Sequence, residues 1–321
     1  MIKNRLLLAA GILAILTSCG GPINYEPNHY IVNLPYKDDF KIMQLTDMHF
    51  GTSTNVDRQF KFLTKNINEA SPDLIIITGD SFMISNKAIV KSVLKFIDSF
   101  NIKFAFTYGN HDNQGEYDSN FIADELMKCK NTVNPDERND NVTGYNNFAI
   151  DLVDGDKEDI KYRLMVIDSN SYHYIGPKYA YDIIHDDQLN HFKKLYEFSK
   201  DKEYEALAFY HIPIYEYKYA HEAYKLDKTI GRGENNEPPS VGYKSTNAFD
   251  VFKGINVKGM IIGHDHINDT DILYKDVMLS YGIKSTDEIY HNKDMVGYKL
   301  VTLNDDKPYG YDNLTNNFRK Y

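Results

Sequence analysis

Tryptophan is absent from this 321-residue chain, and cysteine occurs only twice, at Cys19 and Cys129. Two thiols cannot staple a disulfide-built fold, so an apolar core has to hold the molecule together. With no indole available, bulky packing falls to 26 tyrosines and 17 phenylalanines. Positive charge is the scarcer sign: 36 Lys and Arg stand against 46 Asp and Glu, a net charge of −10 and a pI near 5.6. That balance excludes a surface built to neutralise nucleic-acid phosphates, although an acidic protein can still act on phosphates where bound cations supply the charge locally. No repeat or low-complexity block is present, which excludes collagen-like and disordered chains. What is there, 42% hydrophobic and 26% charged residues, is the composition of a globular chain long enough for one large core.

Long apolar runs are also missing after the first sixteen residues. The one run, Leu6 to Leu16, follows Lys3 and Arg5 and is too short to span a bilayer. With Leu16-Thr17-Ser18-Cys19 after it, the segment resembles a bacterial lipoprotein signal, which implies removal of residues 1–18 and lipidation of Cys19. The next stretch, to Tyr36, carries Pro22, Pro27 and Pro35 and reads as a tether (19–36) to a domain over 37–321. The resemblance places that domain outside the cytoplasm, lipid-anchored to a bacterial cell membrane. Cys129 is then a lone thiol, expected to pack as a small apolar residue.

From Phe40 the chain alternates short β-rich runs with amphipathic ones. Strands are expected at 40–45, 74–78 and 104–107, with helices at 58–69 and 87–100 between them, so the chain starts as a largely parallel α/β unit. Antiparallel strands at 147–151 and 163–168 flank the turn Asp154-Gly155-Asp156, and a helix follows at 187–198. Further strands are expected at 206–210, 257–262, 271–274, 277–280 and 297–303. The tail after Asp305 is expected to pack loosely. Between Pro213 and Ile255 the pattern has little periodicity, and this stretch is expected to form a wall of a cleft. Its Arg232 either contacts a phosphate or is simply solvated, and no role is assigned to His173 or His221.

Five polar clusters each follow an apolar strand: Asp47-Met48-His49, Gly79-Asp80, Gly109-Asn110-His111-Asp112, His211, and Gly263-His264-Asp265-His266. In open α/β sheets ligands bind beyond the carboxyl ends of strands, so these clusters are expected to converge. Asp47, His49, Asp80, Asn110, His211, His264 and His266 supply two carboxylates, one amide and four imidazoles without a thiolate. That donor set suits two divalent first-row ions, Mn, Fe or Zn, and seven ligands for two ions leave positions open for chemistry.

In this order, QLTDMHFG, PDLIIITGD, YGNHD, FYHIPI and IIGHDHIND resemble the calcineurin-like metallophosphoesterase superfamily across residues 41–283, most closely its bacterial and fungal branch related to purple acid phosphatases. The resemblance implies a four-layer αββα sandwich with two mixed β-sheets. It also implies a binuclear centre, with Asp47, His49, Asp80 and His266 around one ion and Asp80, Asn110, His211 and His264 around the other. Purple acid phosphatases carry a tyrosine ligand three residues after the bridging Asp, where this chain has Met83, so a non-purple enzyme is expected.

The expected reaction is hydrolysis of a phosphate mono- or diester by a hydroxide that bridges the metals. The motif gives His111 no ligand role, and an imidazole suits the role of proton donor to the leaving group. Asp112 is expected either to orient His111 or its loop or to be a plain turn residue. A metal-free centre would leave Asp47 and Asp80 facing each other, so metal-free protein is expected to be less stable. A nucleotidase or cyclic-nucleotide phosphodiesterase is the narrower alternative. A catalytically silent surface-binding lipoprotein is the alternative from another class.

Overall fold

The structure, a computed structural model, describes residues 26–136, 142–155 and 159–319. The expected signal peptide and the lipidation residue Cys19 lie outside them. The tether is shorter than the sequence suggests: Pro27–Tyr30 forms a 3-10 turn and strand β1 (Ile31–Pro35) joins a sheet, with the Tyr30 ring edge-on to His191 at 4.8 Å.

The βαβ start follows the apolar patterning. Strand β2 (Phe40–Leu45) leads to helix α1 (Val56–Ala70), then β3 (Leu74–Thr78), α2 (Lys87–Asp98), β4 (Lys103–Thr107) and α3 (Ser119–Leu126). Asn55 caps α1 and Asn86 caps α2, each accepting from backbone N–H groups of the first turn. Period-2 alternation splits the strand side chains between two cores. Leu74 and Ile76 of β3 enter the core shared with the second sheet, while Ile75 and Ile77 pack with Leu63, Ile67, Val93 and Ile97 of the helices.

The second sheet is built from β5 (Phe148–Asp154), β6 (Asp159–Val166), β9 (Glu205–Phe209), β10 (Gly231–Arg232), β11 (Val257–Ile262), β12 (Asp271–Tyr274) and β13 (Val277–Tyr281), together with β1. Its order is β1-β5-β6-β9-β11-β13-β12-β10, and β6, β9, β11 and β13 run parallel. The first sheet has the order β15-β14-β2-β3-β4, adding β14 (Gly297–Leu303) and β15 (Leu314–Phe318) as antiparallel members. A separate hairpin, β7 (Tyr172–Ile175) and β8 (Lys178–Tyr181), pairs only with itself. Helices α4 (Asp186–Phe198), α5 (Tyr215–Leu226) and α6 (Ala248–Gly254) bury Phe192, Tyr217 and Phe252 in the second core. Two mixed sheets between helical layers are the expected sandwich.

Two expectations fail. The tail is not loose, because β15 pairs along β14 and buries Leu314. The stretch after Pro213 is not irregular, because it holds α5 and α6; tyrosines on several sides of α5 hide a face carried by Tyr217, Ala220 and Tyr224. Its residues 234–240 do lie against the loop after β11. Asn268 Oδ1 accepts from the Asn236 and Glu237 amides, and Asp265 accepts from the Ser240 amide at 3.1 Å. Arg232 is neither solvated freely nor turned to the cleft: it pairs with Asp271 at 3.0 Å and donates to the Tyr311 and Leu314 carbonyls. His173 stacks on Tyr243, and His221 is buried beside Thr270. Cys129 is half-buried, and burial pushes its thiol up to about 11.

Candidate metal centre

Strands β2, β3 and β4 of one sheet and β9 and β11 of the other end at the same place, and the chain turns sharply as it leaves each. Asp47, His49, Asp80 and His264 have φ of 53°, 51°, 50° and 80°. Positive φ on residues with a Cβ is strain, and its concentration at these four positions marks a site where geometry outranks backbone comfort. The loops brace one another: the Asp47 amide donates to the Gly79 carbonyl at 3.1 Å and the His49 amide to the Asp80 carbonyl at 2.9 Å. Gly109 is required by close approach, since a Cβ there would collide with the Asp80 side chain and amide.

All seven expected ligands are buried and meet here. Six of them fall into two groups that could each hold an ion, Asp47 with His49 and His266, and Asp80 with His211 and His264, and Asn110 lies in the loop after β4 beside His111, whose amide donates to Asp80. Within each group the ligand atoms lie within 4.8 Å of one another. Asp80 stands between the groups: its Oδ2 is 3.1 Å from His211 Nε2 and 3.9 Å from His49 Nε2. His49 Nε2 and His266 Nε2 face each other at 3.1 Å, and His264 Nδ1 lies 3.3 Å from His211 Nε2.

Partners behind the ligands fix which atom each presents. His211 Nδ1 donates to the Thr78 carbonyl at 2.8 Å and His266 Nδ1 to the Tyr290 carbonyl at 2.9 Å, so each keeps an Nε2 lone pair for the centre. Thr46 Oγ1 and the His264 amide donate to Asp47 Oδ2, leaving Oδ1 inward. Asn110 Oδ1 is buried and finds no hydrogen-bond partner, and Asp47 Oδ1 has nothing closer than the His266 imidazole, its Nε2 3.4 Å away. Two buried oxygens left without a close donor fit divalent cations, because an under-satisfied buried acceptor is otherwise costly.

The electrostatics agree with that donor set. Burial alone would raise Asp47, but the His266 and His49 imidazoles beside it hold it well below the carboxylate range. Burial pushes His49 down to about 3, helped by Lys284, and pushes His264 down to about 3, helped by His211; both are therefore neutral donors. On His211 burial acts downward, yet the Asp80 carboxylate outweighs it and raises the imidazole to about 10. A cation bound there would take the place of that proton.

Asp112 does not reach the His111 ring. Its Oδ2 accepts from the Asp80 and Gly109 amides at 2.9 and 2.7 Å and its Oδ1 from the Phe82 amide at 2.9 Å, so it ties the loops after β3 and β4 together. His111 itself donates its amide to Asp80 Oδ1 and holds its Nδ1 2.7 Å from Gln114 Oε1. Two residues at the centre escape sequence reasoning. Lys284 is 2% exposed and donates from Nζ to the Asp47 carbonyl at 2.6 Å, and burial lowers it to about 8. Tyr172 accepts from Asn110 Nδ2 at 2.9 Å. Neither carries a local pattern, so neither gives a signal until the fold brings it to the ligands.

Several known proteins resemble this chain over most of its length. "Probable inactive purple acid phosphatase 29" of Arabidopsis thaliana is 25% identical over 319 residues, covering 86% of this chain and 79% of that one. "Probable inactive purple acid phosphatase 28" of the same plant is 26% identical over 292 residues, covering 78% and 72%. A dimetal phosphatase from Danio rerio superposes with a TM-score of 0.52 over 84% of this chain and 94% of its own, at 11% identity, which shows a shared fold. Residues 40–268 match the calcineurin-like phosphoesterase family. Because that match takes in every strand end that carries a ligand, from Asp47 to His266, the chain belongs to the calcineurin-like phosphoesterase family.

Proposed function

We propose that this metal-dependent phosphoesterase hydrolyses phosphate mono- or diesters at a binuclear centre. Asp47, His49, Asp80 and His266 hold one ion, and Asp80, Asn110, His211 and His264 hold the other. The observation that supports this reading most directly is the pair of three-residue groups whose ligand atoms lie within 4.8 Å of one another, together with two buried oxygens that lack a close donor, Asp47 Oδ1 and Asn110 Oδ1. Two bound cations would neutralise the ester oxygens and supply a hydroxide nucleophile near neutral pH. The protein's own part is to orient the ester and to protonate the leaving oxygen. His111 is the proton donor, and with Nδ1 committed to Gln114, Nε2 is the nitrogen that delivers the proton. The amino-terminal pattern through Cys19 supports a lipid-anchored enzyme outside the cytoplasm, and no described helix is long and apolar enough to cross a membrane.

The word "inactive" in the plant relatives' names makes the silent binding protein the reading to test against. Purified protein loaded with Mn, Fe or Zn is assayed with p-nitrophenyl phosphate, bis-p-nitrophenyl phosphate, glycerol phosphate and a nucleotide. Turnover is expected from wild type and not from Asn110→Ala. His111→Ala is expected to cost little on nitrophenyl esters, whose leaving group needs no proton, and on the order of 100-fold or more on glycerol phosphate. A wild type that binds metal yet stays as silent as Asn110→Ala on every ester establishes the binding protein instead.

A further inference from the structure

An amide ligand has a weakness that carboxylates and imidazoles lack. Its oxygen and nitrogen are nearly the same shape, and rotating the group by half a turn replaces a lone pair with two N–H donors. Asn110 is fully buried, in the loop whose next residue, His111, donates its amide to Asp80 Oδ1, and its own Oδ1 has no hydrogen-bond partner. Something on the far side of the amide has to hold Nδ2.

That far side is the start of the β7–β8 hairpin. Asn110 Nδ2 donates to the Tyr172 hydroxyl at 2.9 Å, and the neighbouring Ser171 Oγ donates to the Asn110 backbone carbonyl at 3.0 Å. Tyr172 is in turn held by the hairpin around it. Its ring stacks on its cross-strand partner Tyr181 at 5.8 Å, Tyr181 stands edge-on to His264 at 4.3 Å, and the Asp182 amide donates to the Ser171 carbonyl at 3.0 Å to close the hairpin base.

We propose that Tyr172 is a positioning residue for the metal centre, its hydroxyl holding the Asn110 amide so that Oδ1 faces the second ion. The inference rests on the binuclear reading above. It gives a role to a hairpin that pairs with neither sheet and whose tip, with Tyr174 and Tyr179 about two-thirds exposed, has no part in the core. Removing the hydroxyl leaves Nδ2 a buried donor without an acceptor, and the amide then turns to find one.

Calorimetric titration of metal-free protein with Mn(II) reads this without any turnover. Wild type is expected to bind two ions. Tyr172→Phe is expected to weaken the weaker step about tenfold, as loss of a partner behind a ligand does elsewhere, and to leave the tighter step unchanged. Asn110→Ala weakens the same step further. The double variant is expected to match Asn110→Ala alone, because a hydroxyl that works through Asn110 has nothing to hold once the amide is gone. Wild-type affinity in Tyr172→Phe overturns the proposal, and so does a loss that adds to that of Asn110→Ala, which is the mark of general damage to the hairpin. A wild type that binds two ions while Tyr172→Phe does so equally well sinks this inference alone; a wild type that binds none sinks the binuclear reading with it.

Discussion

Single side chains at this centre act according to what faces them, and Asp112 shows it best. Three backbone amides converge on its two oxygens, from Asp80, Gly109 and Phe82. Burial, with Asp80 close by, pushes the acid up to about 8 against the pull of those amides. Asp112→Asn puts an NH2 against at least one N–H, and an NH2 cannot accept whether the native acid is charged or not. The expected cost is about 1–3 kcal/mol in urea unfolding, with weaker metal binding because the Asp80 loop loses its brace. Unchanged stability would mean that the three amides find other partners. The seven candidate ligands are legible in the sequence because each sits directly after an apolar strand, where position along the chain and position in space coincide. Asp112 is visible there too, and of its expected roles the structure shows the loop and not the ring: it accepts from the Gly109 amide of the loop that carries His111 and ties that loop to Asp80. Lys284 and Tyr172 are invisible: their contacts exist only at sequence separations of 237 and 62.

Elements follow the same division. Strands β2, β3, β4 and β11 and helices α1, α2 and α4 are legible because their apolar period is clean. The short partners are not: β1 and β15 are edge strands whose side chains are only partly buried, so pairing rather than pattern makes them strands. One polar contact between elements also has no sequence signal. Arg163 of β6 is fully buried, makes two 2.7 Å bonds to Asp151 of β5, and donates to the Leu195 carbonyl of α4 and to Tyr204 Oη. It therefore joins two strands to the helix that covers them. Asp151→Ala leaves that guanidinium charge buried without its partner, and a loss of about 3–5 kcal/mol is expected. The control is Asp151→Ala with Arg163→Met, which removes both charges and should recover part of the loss; denaturant midpoints decide it, and a single variant as stable as wild type would show that Arg163 needs only its carbonyl and phenol partners.

On the scale of the whole molecule, protons and cations compete to set stability. Burial lowers His191 and His221 to about 4, so the fold keeps both neutral while the unfolded chain titrates them near 6.5. Between pH 6.5 and 4 the unfolded state binds more protons, so stability contributed above that window is lost as the pH falls through it. His191→Gln, which keeps a donor for the Asn147 carbonyl, should flatten the loss measured by urea unfolding at pH 7.5 and 5 in chelator. The metals act at a different place with the same logic. Ions that bind the fold and not the unfolded chain stabilise it by about 2.7 kcal/mol for each site at a hundredfold excess over Kd. Without them Asp47 and Asp80 keep their charges close together, relieved in part by the proton on His211. EDTA should therefore lower the thermal midpoint by several degrees and Mn(II) restore it. Asp80→Ala, which strips the residue between both groups, should show no shift on adding either. A wild-type midpoint indifferent to chelator and to metal would mean that these imidazoles and carboxylates are packed together for some other reason.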